Sequence, residues 1–331
     1  MKLIQVSDFN KYAQNNAGKA STTIGNFDGC HLGHQKLVAK VTEYAARFSA
    51  APIAITFNPR PDAFFRGHPE EPLLFTSNQK TRCLGELGIE FQIIQNFDAQ
   101  FSQVSHRQFF DKYLLNALNV RALVVGDDFR FGHKRLGNLE YLTERAAETG
   151  IELSVGQASL HQNERISSSR IRQTIAADGD MNSAAIMLGR PYMLEGKIEK
   201  GDQLGRQLGF PTANLGGCQQ LIPKFGVYVG YVWLERESGG NDFAPITRMP
   251  EERVPAVLNV GVRPSVGGAS NEPRIEAHLL KDDLGPDALY GLRASYYVIR
   301  RLRDEIRFAS LLELQHQIRL DVQLAKKWLE L

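Results

Sequence analysis

The pattern of apolar residues changes near residue 186, and this change limits what the chain can fold into. Before it, short apolar runs alternate with longer segments whose apolar residues recur every three or four positions. The predicted strands are residues 21–24, 52–57, 91–94, 121–125 and 151–155, and the predicted helices are residues 34–48, 79–87, 105–118 and 138–149. This alternation predicts a parallel sheet with crossover helices, a doubly wound α/β layer.

After residue 188 the chain becomes rich in Gly and Pro, and short β-type segments such as 224–234 and 254–260 replace the alternation. This pattern predicts an all-β sandwich or small barrel, with an excursion loop over residues 237–252. The end of the chain returns to a helical period, which predicts one closing helix. Its apolar side consists of Leu311, Leu314, Ile318, Val322, Ala325 and Leu329. We therefore predict two domains, residues 1–185 and 186–331.

Length and composition agree with two folded domains and exclude several classes of protein. A chain of 331 residues is about two domains long. Its 39 basic and 37 acidic residues leave a net charge of +2, too small to indicate a nucleic-acid or membrane-surface binder. Three widely spaced cysteines fit neither a disulfide framework nor a cysteine zinc site, and they indicate a reducing, cytoplasmic setting. We expect no secretory signal and no membrane span.

The segment Gly25–His34 links the first predicted strand to the first predicted helix. Its three glycines allow the backbone to approach a ligand closely, and the helix start offers unpaired N–H groups to an anion such as phosphate. His31 and His34 lie at the same edge, where both rings could donate hydrogen bonds to a phosphate oxygen. The alternatives are a Gly-rich turn with two solvated histidines, or a zinc pair without a close third ligand. A Walker-type phosphate loop is absent from the sequence.

Three more polar segments follow predicted strands or precede helices, where open α/β sheets place ligands. They are residues 56–61, 126–132 and 166–172. In the last, Ser167 and Ser168 precede a helical pattern and could serve only as a helix cap. Together with Arg172, they could equally grip a triphosphate.

A second group of candidate residues lies in the β-rich half. Thr212 and Asn214 would point to one face of an extended segment, and their neutral oxygens could hold a magnesium ion whose other ligands are water and phosphate. The alternative for this segment is a hairpin with a proline-containing turn. Glu276 could take a proton from an attacking alcohol beside magnesium-bound ATP, or it could be an ordinary exposed acid on a strand.

These motifs, in this order, resemble the bacterial bifunctional riboflavin kinase/FAD synthetase family over nearly the whole chain. The segments at 25–34, 126–132 and 166–172 resemble its adenylyltransferase half, and those at 201–214, 259–265, 274–280 and 289–291 resemble its kinase half. His31-Leu32-Gly33-His34 is also similar to the histidine signature of the wider nucleotidyltransferase superfamily. The resemblance implies a Rossmann-like nucleotidyltransferase domain with a parallel sheet, followed by a small antiparallel riboflavin kinase barrel and a C-terminal helix.

The resemblance also implies the chemistry: ATP phosphorylates riboflavin to FMN, and a second ATP adenylylates FMN to FAD and pyrophosphate. The implied catalytic residues are His31, His34 and Glu276. The implied ATP contacts in the first half are Gly25, Phe27, Asp28, Gly33, Ser167, Ser168 and Arg172, and its flavin contacts are Asn58, Asp127, Asp128 and Phe129. The implied ATP contacts in the kinase half are Gly201, Gly205, Arg206, Gly209, Pro211 and Thr212, with Thr212 and Asn214 as magnesium ligands.

The expected partners are therefore small molecules, namely riboflavin, FMN and ATP, with Mg²⁺ and without nucleic acid, membrane or an obligatory protein partner. The sequence departs from the family pattern at Cys30, Ser265 and Lys281, at Asn58 and Arg60, and in a longer segment at 281–288. Two other functions fit parts of the sequence: a tRNA-directed or other nucleotidyltransferase with a nucleic-acid-binding β domain, and a flavin storage or regulatory protein. The near-neutral charge gives the first little support, and the second would not need Thr212, Asn214 and Glu276 together.

Overall fold

A computed structural model describes residues 3–15, 18–66, 72–201, 204–235, 243–262, 273–281 and 289–331. The chain forms two compact units. The first contains Met1–Glu71 and Phe75–Ser167, and the second contains Pro72–Leu74 and Ser168–Leu331.

The first unit is built on a six-stranded parallel sheet in the order β1-β4-β3-β2-β5-β6. Its strands are β1 (Ile4–Val6), β2 (Ala20–Ile24), β3 (Ala51–Asn58), β4 (Phe91–Asn96), β5 (Val120–Gly126) and β6 (Glu152–Gly156). Its helices are α1 (Phe9–Asn15), α2 (Leu32–Phe48), α3 (Pro61–Arg66), α4 (Ser77–Glu86), α5 (Ala99–Ser102), α6 (His106–Gln108) and α7 (Leu139–Thr149). A small hairpin, β7 (Leu160–His161) and β8 (Glu164–Arg165), ends the unit.

The order of the strands places a crevice at the carboxyl ends of β2 and β5. From β2, the chain builds β3 and β4 on one side and then β5 and β6 on the other, so β2 and β5 are neighbours at the point where the direction reverses. Open α/β sheets bind ligands at such a point. All five residues of β2 are buried, as is usual when a parallel strand is covered on both faces.

The predicted α/β fold class is confirmed, and the five predicted strands correspond to β2–β6. The sequence patterns missed β1, α1 and the β7–β8 hairpin. The three residues of β1 are half-buried or exposed, so they carry little apolar periodicity. The predicted helix at 105–118 begins as α6 and continues as a π-helix over Phe109–Ala117.

The second unit is built on a closed antiparallel barrel in the order β10-β13-β12-β11-β14-β9. Its strands are β9 (Tyr192–Glu199), β10 (Thr212–Gly216), β11 (Gly226–Leu234), β12 (Val254–Val262), β13 (Pro273–Leu279) and β14 (Arg293–Arg303). The barrel prediction is confirmed. Its helices are α8 (Ser168–Gln173), a π-helical segment (Thr174–Asp178), α9 (Met181–Leu188), α10 (Leu204–Gln207) and α11 (Leu311–Trp328).

The predicted closing helix is α11, and it packs on the outside of the barrel. Ala325 of α11 is fully buried against Val227, Val229 and Val257 of the barrel strands. Asp321 on the same helix accepts two hydrogen bonds from Arg303, at 2.9 and 2.6 Å. Of the predicted excursion loop, residues 243–252 contain no helix or strand, and residues 237–242 lie outside the described part of the chain.

The compact units divide after Ser167, eighteen residues before the predicted boundary at 185/186. The physical reason is helix α9, whose residues Met181, Ala184, Met187 and Leu188 are buried and which packs against β9 and β14. The change in sequence pattern at 186 therefore lies inside the second unit. Where the two activities divide stays a prediction. Within the described residues, we find no helix long and apolar enough to cross a membrane.

Candidate active sites

The turn after β2 has an unusual backbone that is fixed by burial. Phe27, Gly29 and Cys30 all lie in the left-handed region, with φ of 49°, 72° and 40°. Phe27 and Cys30 have no exposed surface, and the Gly25 N–H donates to the Ile55 carbonyl at 3.0 Å. The turn therefore holds the start of α2 in one position at the crevice. Cys30, where the sequence departs from the family, is part of its buried support.

The two histidines form a stacked pair at the start of α2. Their ring centroids lie 3.7 Å apart with an interplanar angle of 18°, and His31 is 7% exposed. A Cβ on Gly33 would lie 3.1 Å from His31 Cε1, so this glycine leaves room for the ring. The burial of His31 contradicts the alternative of two solvated histidines for this ring.

The environment of His34 favours its neutral form. Burial, then the neighbouring His31 and Lys80, lower the pKa of His34 well below its ordinary value of 6.5. Among the described residues, none is a hydrogen-bond partner for the buried Nδ1 of His34. A neutral imidazole with an unused nitrogen is suited to a hydrogen bond with a ligand. No group of three or more His, Cys, Asp or Glu side chains in the described part of the chain could hold a metal, so the zinc alternative gains no support.

Ser159 is a candidate that the sequence patterns did not indicate. It is 6% exposed, its Oγ has no hydrogen-bond partner among the described residues, and it lies 4.0 Å from the position of a Cβ on Gly33. Its segment precedes the β7–β8 hairpin, whose strands of two residues each are too short to be found by periodicity.

Asp28, predicted as an ATP contact, is 2% exposed and already engaged with the protein. Its Oδ1 accepts the Phe75 N–H at 3.0 Å, and its Oδ2 lies 4.0 Å from Arg60 Nη1. Arg60 also approaches Asp62 at 3.7 Å. The contacts of Asp28 fix the position of the turn after β2, and they show that Arg60 pairs with carboxylates of the protein itself. The contact of Asp28 with ATP stays a prediction.

The predicted flavin contacts lie at the ends of two strands of the same sheet. Asn58 ends β3, and Asp127, Asp128 and Phe129 directly follow β5. Both carboxylates pair with Arg165 of the hairpin, at 2.6 and 3.0 Å. The Phe129 ring stacks on Phe131, with centroids 5.5 Å apart. The hairpin is therefore tied to the loop after β5, a contact that the sequence patterns did not predict.

The serine segment lies at the start of α8. Ser167 belongs to the first compact unit, and Ser168 and Arg172 belong to the second. Arg172 Nε donates to the Pro72 carbonyl at 3.1 Å. The convergence of these side chains on one triphosphate stays a prediction.

In the barrel, Thr212 and Asn214 occupy alternate positions of β10, so the extended segment is a barrel strand. Thr212 pairs with His278 and Asn214 pairs with Glu276 of β13. Directly opposite residues share a face of the sheet, so all four lie together. The Glu276 side chain is 17% exposed, which contradicts the alternative of an ordinary exposed acid.

Arg274 joins this group. Its Nε donates to Asn214 Oδ1 at 3.0 Å, and its Nη2 lies 2.5 Å from Glu276 Oε1. The sequence patterns did not single it out, although its position two residues before Glu276 on a strand places it on the same face.

Two cavities meet at this group. One, of about 300 Å³, is lined by Thr212, Glu276 and Arg274 together with Leu314 and Ile318 of α11. The other, of about 370 Å³, is lined by Gly201, Asn214 and Arg274 among others. The cavities provide space for ligands on both sides of Arg274.

The glycines before β10 allow close backbone contacts. A Cβ on Gly201 would lie 2.3 Å from Asn214 Nδ2, and one on Gly205 would lie 2.4 Å from the Phe210 carbonyl oxygen. Gly209 has φ of 85°.

The other predicted residues of this region have these positions. The Pro211 carbonyl is 3.0 Å from His278 Nδ1, and Arg206 is exposed on α10. Lys281 is exposed after β13. Ser265 and residues 282–288 lie outside the described residues.

Comparisons with known proteins match both halves. A family model for FAD synthetase matches residues 13–170, and one for riboflavin kinase matches residues 188–329. Proteins named bifunctional riboflavin kinase/FMN adenylyltransferase from Escherichia coli K12 and Pseudomonas fluorescens are each 34% identical, over 92% of this chain and 91% of theirs. A crystal structure from Streptococcus pneumoniae, described as a macrolide-efflux protein, is 26% identical with a TM-score of 0.82 and covers 99% of this chain and 100% of its own. The chain therefore belongs to the family of bifunctional riboflavin kinases/FMN adenylyltransferases.

Proposed function

We propose that the barrel site phosphorylates riboflavin with ATP to FMN, and that the site at the edge of the parallel sheet transfers AMP from a second ATP to FMN. Two observations support the proposal: His31 and His34 stack on each other after β2, and Thr212, Asn214 and Glu276 share one face of the barrel sheet. Each family model covers one of these sites.

In the adenylyl transfer, a phosphate oxygen of FMN attacks the α-phosphorus of ATP, and the bond to the β-phosphate oxygen breaks to release pyrophosphate. The FMN phosphate is already ionised at neutral pH, so this step needs alignment and charge stabilisation rather than a strong base. His31 and His34 supply hydrogen bonds at the α-phosphate. Ser167, Ser168 and Arg172 hold the phosphates, and Asn58, Asp127, Asp128 and Phe129 contact the flavin.

In the kinase step, the nucleophile is an alcohol, so a base is useful. Glu276 accepts the proton of the terminal hydroxyl of the ribityl chain as its oxygen bonds to the γ-phosphorus, and ADP leaves. The apolar residues of α11 that line the cavity suit the flavin ring, and the glycine loop before β10 suits ATP.

The donor set at β10 fits magnesium. Thr212 and Asn214 offer a hydroxyl and an amide oxygen, the type of ligand that Mg²⁺ accepts beside water and phosphate. These two residues would hold the ion, and it would neutralise phosphate charge when bound.

We infer that the chain works in the cytoplasm, where its substrates ATP and riboflavin are small soluble molecules. All three cysteines are free thiols, which supports a reducing setting.

The test is incubation of the purified chain with riboflavin, ATP and Mg²⁺, followed by chromatography of the flavins. We expect FMN and then FAD. In His34→Ala, FMN should accumulate. The rate of FAD synthesis should fall by a factor of about 10² to 10³, the usual effect of losing a hydrogen bond to the transition state. In Glu276→Gln, riboflavin should remain while supplied FMN still yields FAD. Formation of neither flavin by the unaltered chain would overturn the proposal, and normal FAD synthesis by His34→Ala would overturn the role of His34.

A further inference from the structure

Arg274 stands between the two cavities of the barrel site, since it lines both. It is partly buried, with 26% of its side chain exposed, and it is directed toward two residues of that site. Its position differs from that of a solvated surface arginine, which usually contributes little to a fold.

One edge of the guanidinium spans two strands. Nε donates to Asn214 on β10, and Nη2 pairs with Glu276 on β13. Asn214 and Glu276 are directly opposite in the register of these strands. The planar fork of an arginine presents two N–H groups along one edge, so a single side chain can hold two oxygens at a fixed separation.

This arrangement engages one carboxylate oxygen of Glu276 and the single side-chain oxygen of Asn214. Asn214 Oδ1 is also the oxygen that we propose as a magnesium ligand. A cation bound there would lie close to the positive charge of Arg274, so the two would compete for the same oxygen.

We propose that Arg274 is a positioning residue of the kinase site: it holds Glu276 and Asn214 in place, and it competes with the magnesium ion for Asn214 Oδ1. The inference rests on the proposed roles of Asn214 as metal ligand and Glu276 as base. Removal of Arg274 therefore has two opposite consequences. Turnover falls because Glu276 loses its fixed orientation, while less Mg²⁺ is needed to bind a nucleotide because the competing charge is gone.

The experiment measures nucleotide binding at the barrel separately from activity. The full-length chain is titrated with Mg²⁺ at constant ADP, and amide hydrogen exchange is followed in the peptide covering residues 199–210, which reports on the barrel site alone. In Arg274→Met, the Mg²⁺ concentration for half-maximal protection should fall about tenfold, the scale of one charge-assisted hydrogen bond. The kcat for FMN formation should fall by a similar or larger factor.

Two further variants separate charge from geometry. Arg274→Lys retains the positive charge without the fork, so its Mg²⁺ requirement should stay near that of the unaltered chain while turnover falls. Arg293→Met removes an arginine that is half exposed on β14 and serves as the matched control, with both quantities unchanged.

Two measurements on the same variant check that it is still folded. FAD synthesis from supplied FMN tests the first unit, and a thermal melt tests the barrel. Should Arg274→Met unfold the barrel, the neutral but polar Arg274→Gln takes its place with the same expectations. An unchanged or increased Mg²⁺ requirement in the neutral variant, or unchanged turnover, would overturn the inference.

The variant Asn214→Leu shows whether the inference about Arg274 has failed or whether the proposed metal-ligand role of Asn214 has failed. If Asn214→Leu leaves the Mg²⁺ requirement unchanged, the ligand role is wrong and the inference falls with it. If Asn214→Leu raises the requirement while Arg274→Met does not lower it, the ligand role stands and only the competition is wrong.

Discussion

Single residues at the crevice determine how the histidines are presented. Gly33 is the clearest case, because a Cβ at position 33 would lie only 3.1 Å from His31 Cε1. The sequence indicated the glycines as a means of approaching a phosphate, whereas the structure shows that one of them makes room for a catalytic candidate.

We expect Gly33→Ala to impair FAD synthesis selectively. The added Cβ would lie 3.1 and 3.2 Å from atoms of the His31 ring, so the ring must move from its stacked position. A displacement of a few tenths of an ångström in a positioned group should lower turnover by about threefold to tenfold, since a misplacement of about 1 Å costs roughly 100-fold. FAD formation from FMN measures the effect, with FMN formation from riboflavin unchanged. Gly18→Ala is the matched control, since a Cβ there has no neighbour within 4 Å in the described part of the chain.

The lowered pKa of His34 predicts a dependence of stability on pH. The unfolded chain binds a proton at this histidine near its ordinary value of 6.5, whereas the folded chain does so only at lower pH. The free energy of unfolding should therefore be fully retained above 6.5 and decline as the pH falls through 6.5, by up to about 1.4 kcal/mol per pH unit.

His34→Gln should lack this contribution. Calorimetric melts of His34→Gln and of the unaltered chain between about pH 5 and 7.5 measure this contribution. The difference in Tm between the two proteins should begin to change near the ordinary histidine pKa. A difference in Tm that stays constant over this range would contradict the assignment.

At the scale of elements, α11 is attached to the barrel by apolar packing and by one buried ion pair. Asp321 is 4% exposed and accepts from both Arg303 and Gln317. The guanidinium of Arg300 lies 3.9 Å from the Trp328 ring centroid near the end of the helix. Because Leu314, Ile318 and Asp321 line the cavity with Glu276, the attachment of this helix forms one wall of the kinase site.

We expect Asp321→Ala to destabilise the barrel by about 3 kcal/mol, because it leaves the partly buried Arg303 without its carboxylate. Tryptophan emission during denaturation reports the change, since both tryptophans, Trp233 and Trp328, belong to the second unit. Asp304→Ala is the matched control: Asp304 pairs with Arg301 at the surface, 78% exposed, and its loss should have little effect. Equal effects of the two substitutions would count against a structural role for the Asp321 pair.

For the whole molecule, the two activities should be separable. Each piece produced by a cut near residue 186 is long enough to form a core. We expect the C-terminal piece to convert riboflavin to FMN and stop, and the N-terminal piece to convert supplied FMN to FAD. Chromatography of the flavins after a control for cooperative melting measures both, and FAD formation by the C-terminal piece alone would falsify this division.

The structure adds a second expectation about where to cut. Helix α9 packs on the barrel, and the Lys224 N–H donates to the Ile175 carbonyl at 3.0 Å. A fragment of residues 168–331 should therefore melt at a higher temperature than a fragment of residues 186–331. Identical melting temperatures would show that α8 and α9 contribute nothing to the barrel.

Local patterns in the sequence determined the two folds. Strands β2–β6 are short runs with apolar or β-branched residues, and helices α2, α4, α7 and α11 have apolar residues at helical spacing, so each could be located from its own residues. The strand-to-helix turn at Gly25–His34 and the pair Thr212 and Asn214 were equally local, because a turn or a single strand contains all of their geometry. The motif residues of the family were found for the same reason.

The tertiary structure alone decided the contacts between distant segments. Arg274 with Asn214, Arg165 with Asp127, and Ser159 beside Gly33 each join residues that are far apart in sequence. The neutral state of His34 and the assignment of α9 to the barrel unit likewise arise from what packs around them. Burial and electrostatic environment depend on every neighbouring element at once, whereas secondary structure depends mainly on a residue's own neighbours in the chain.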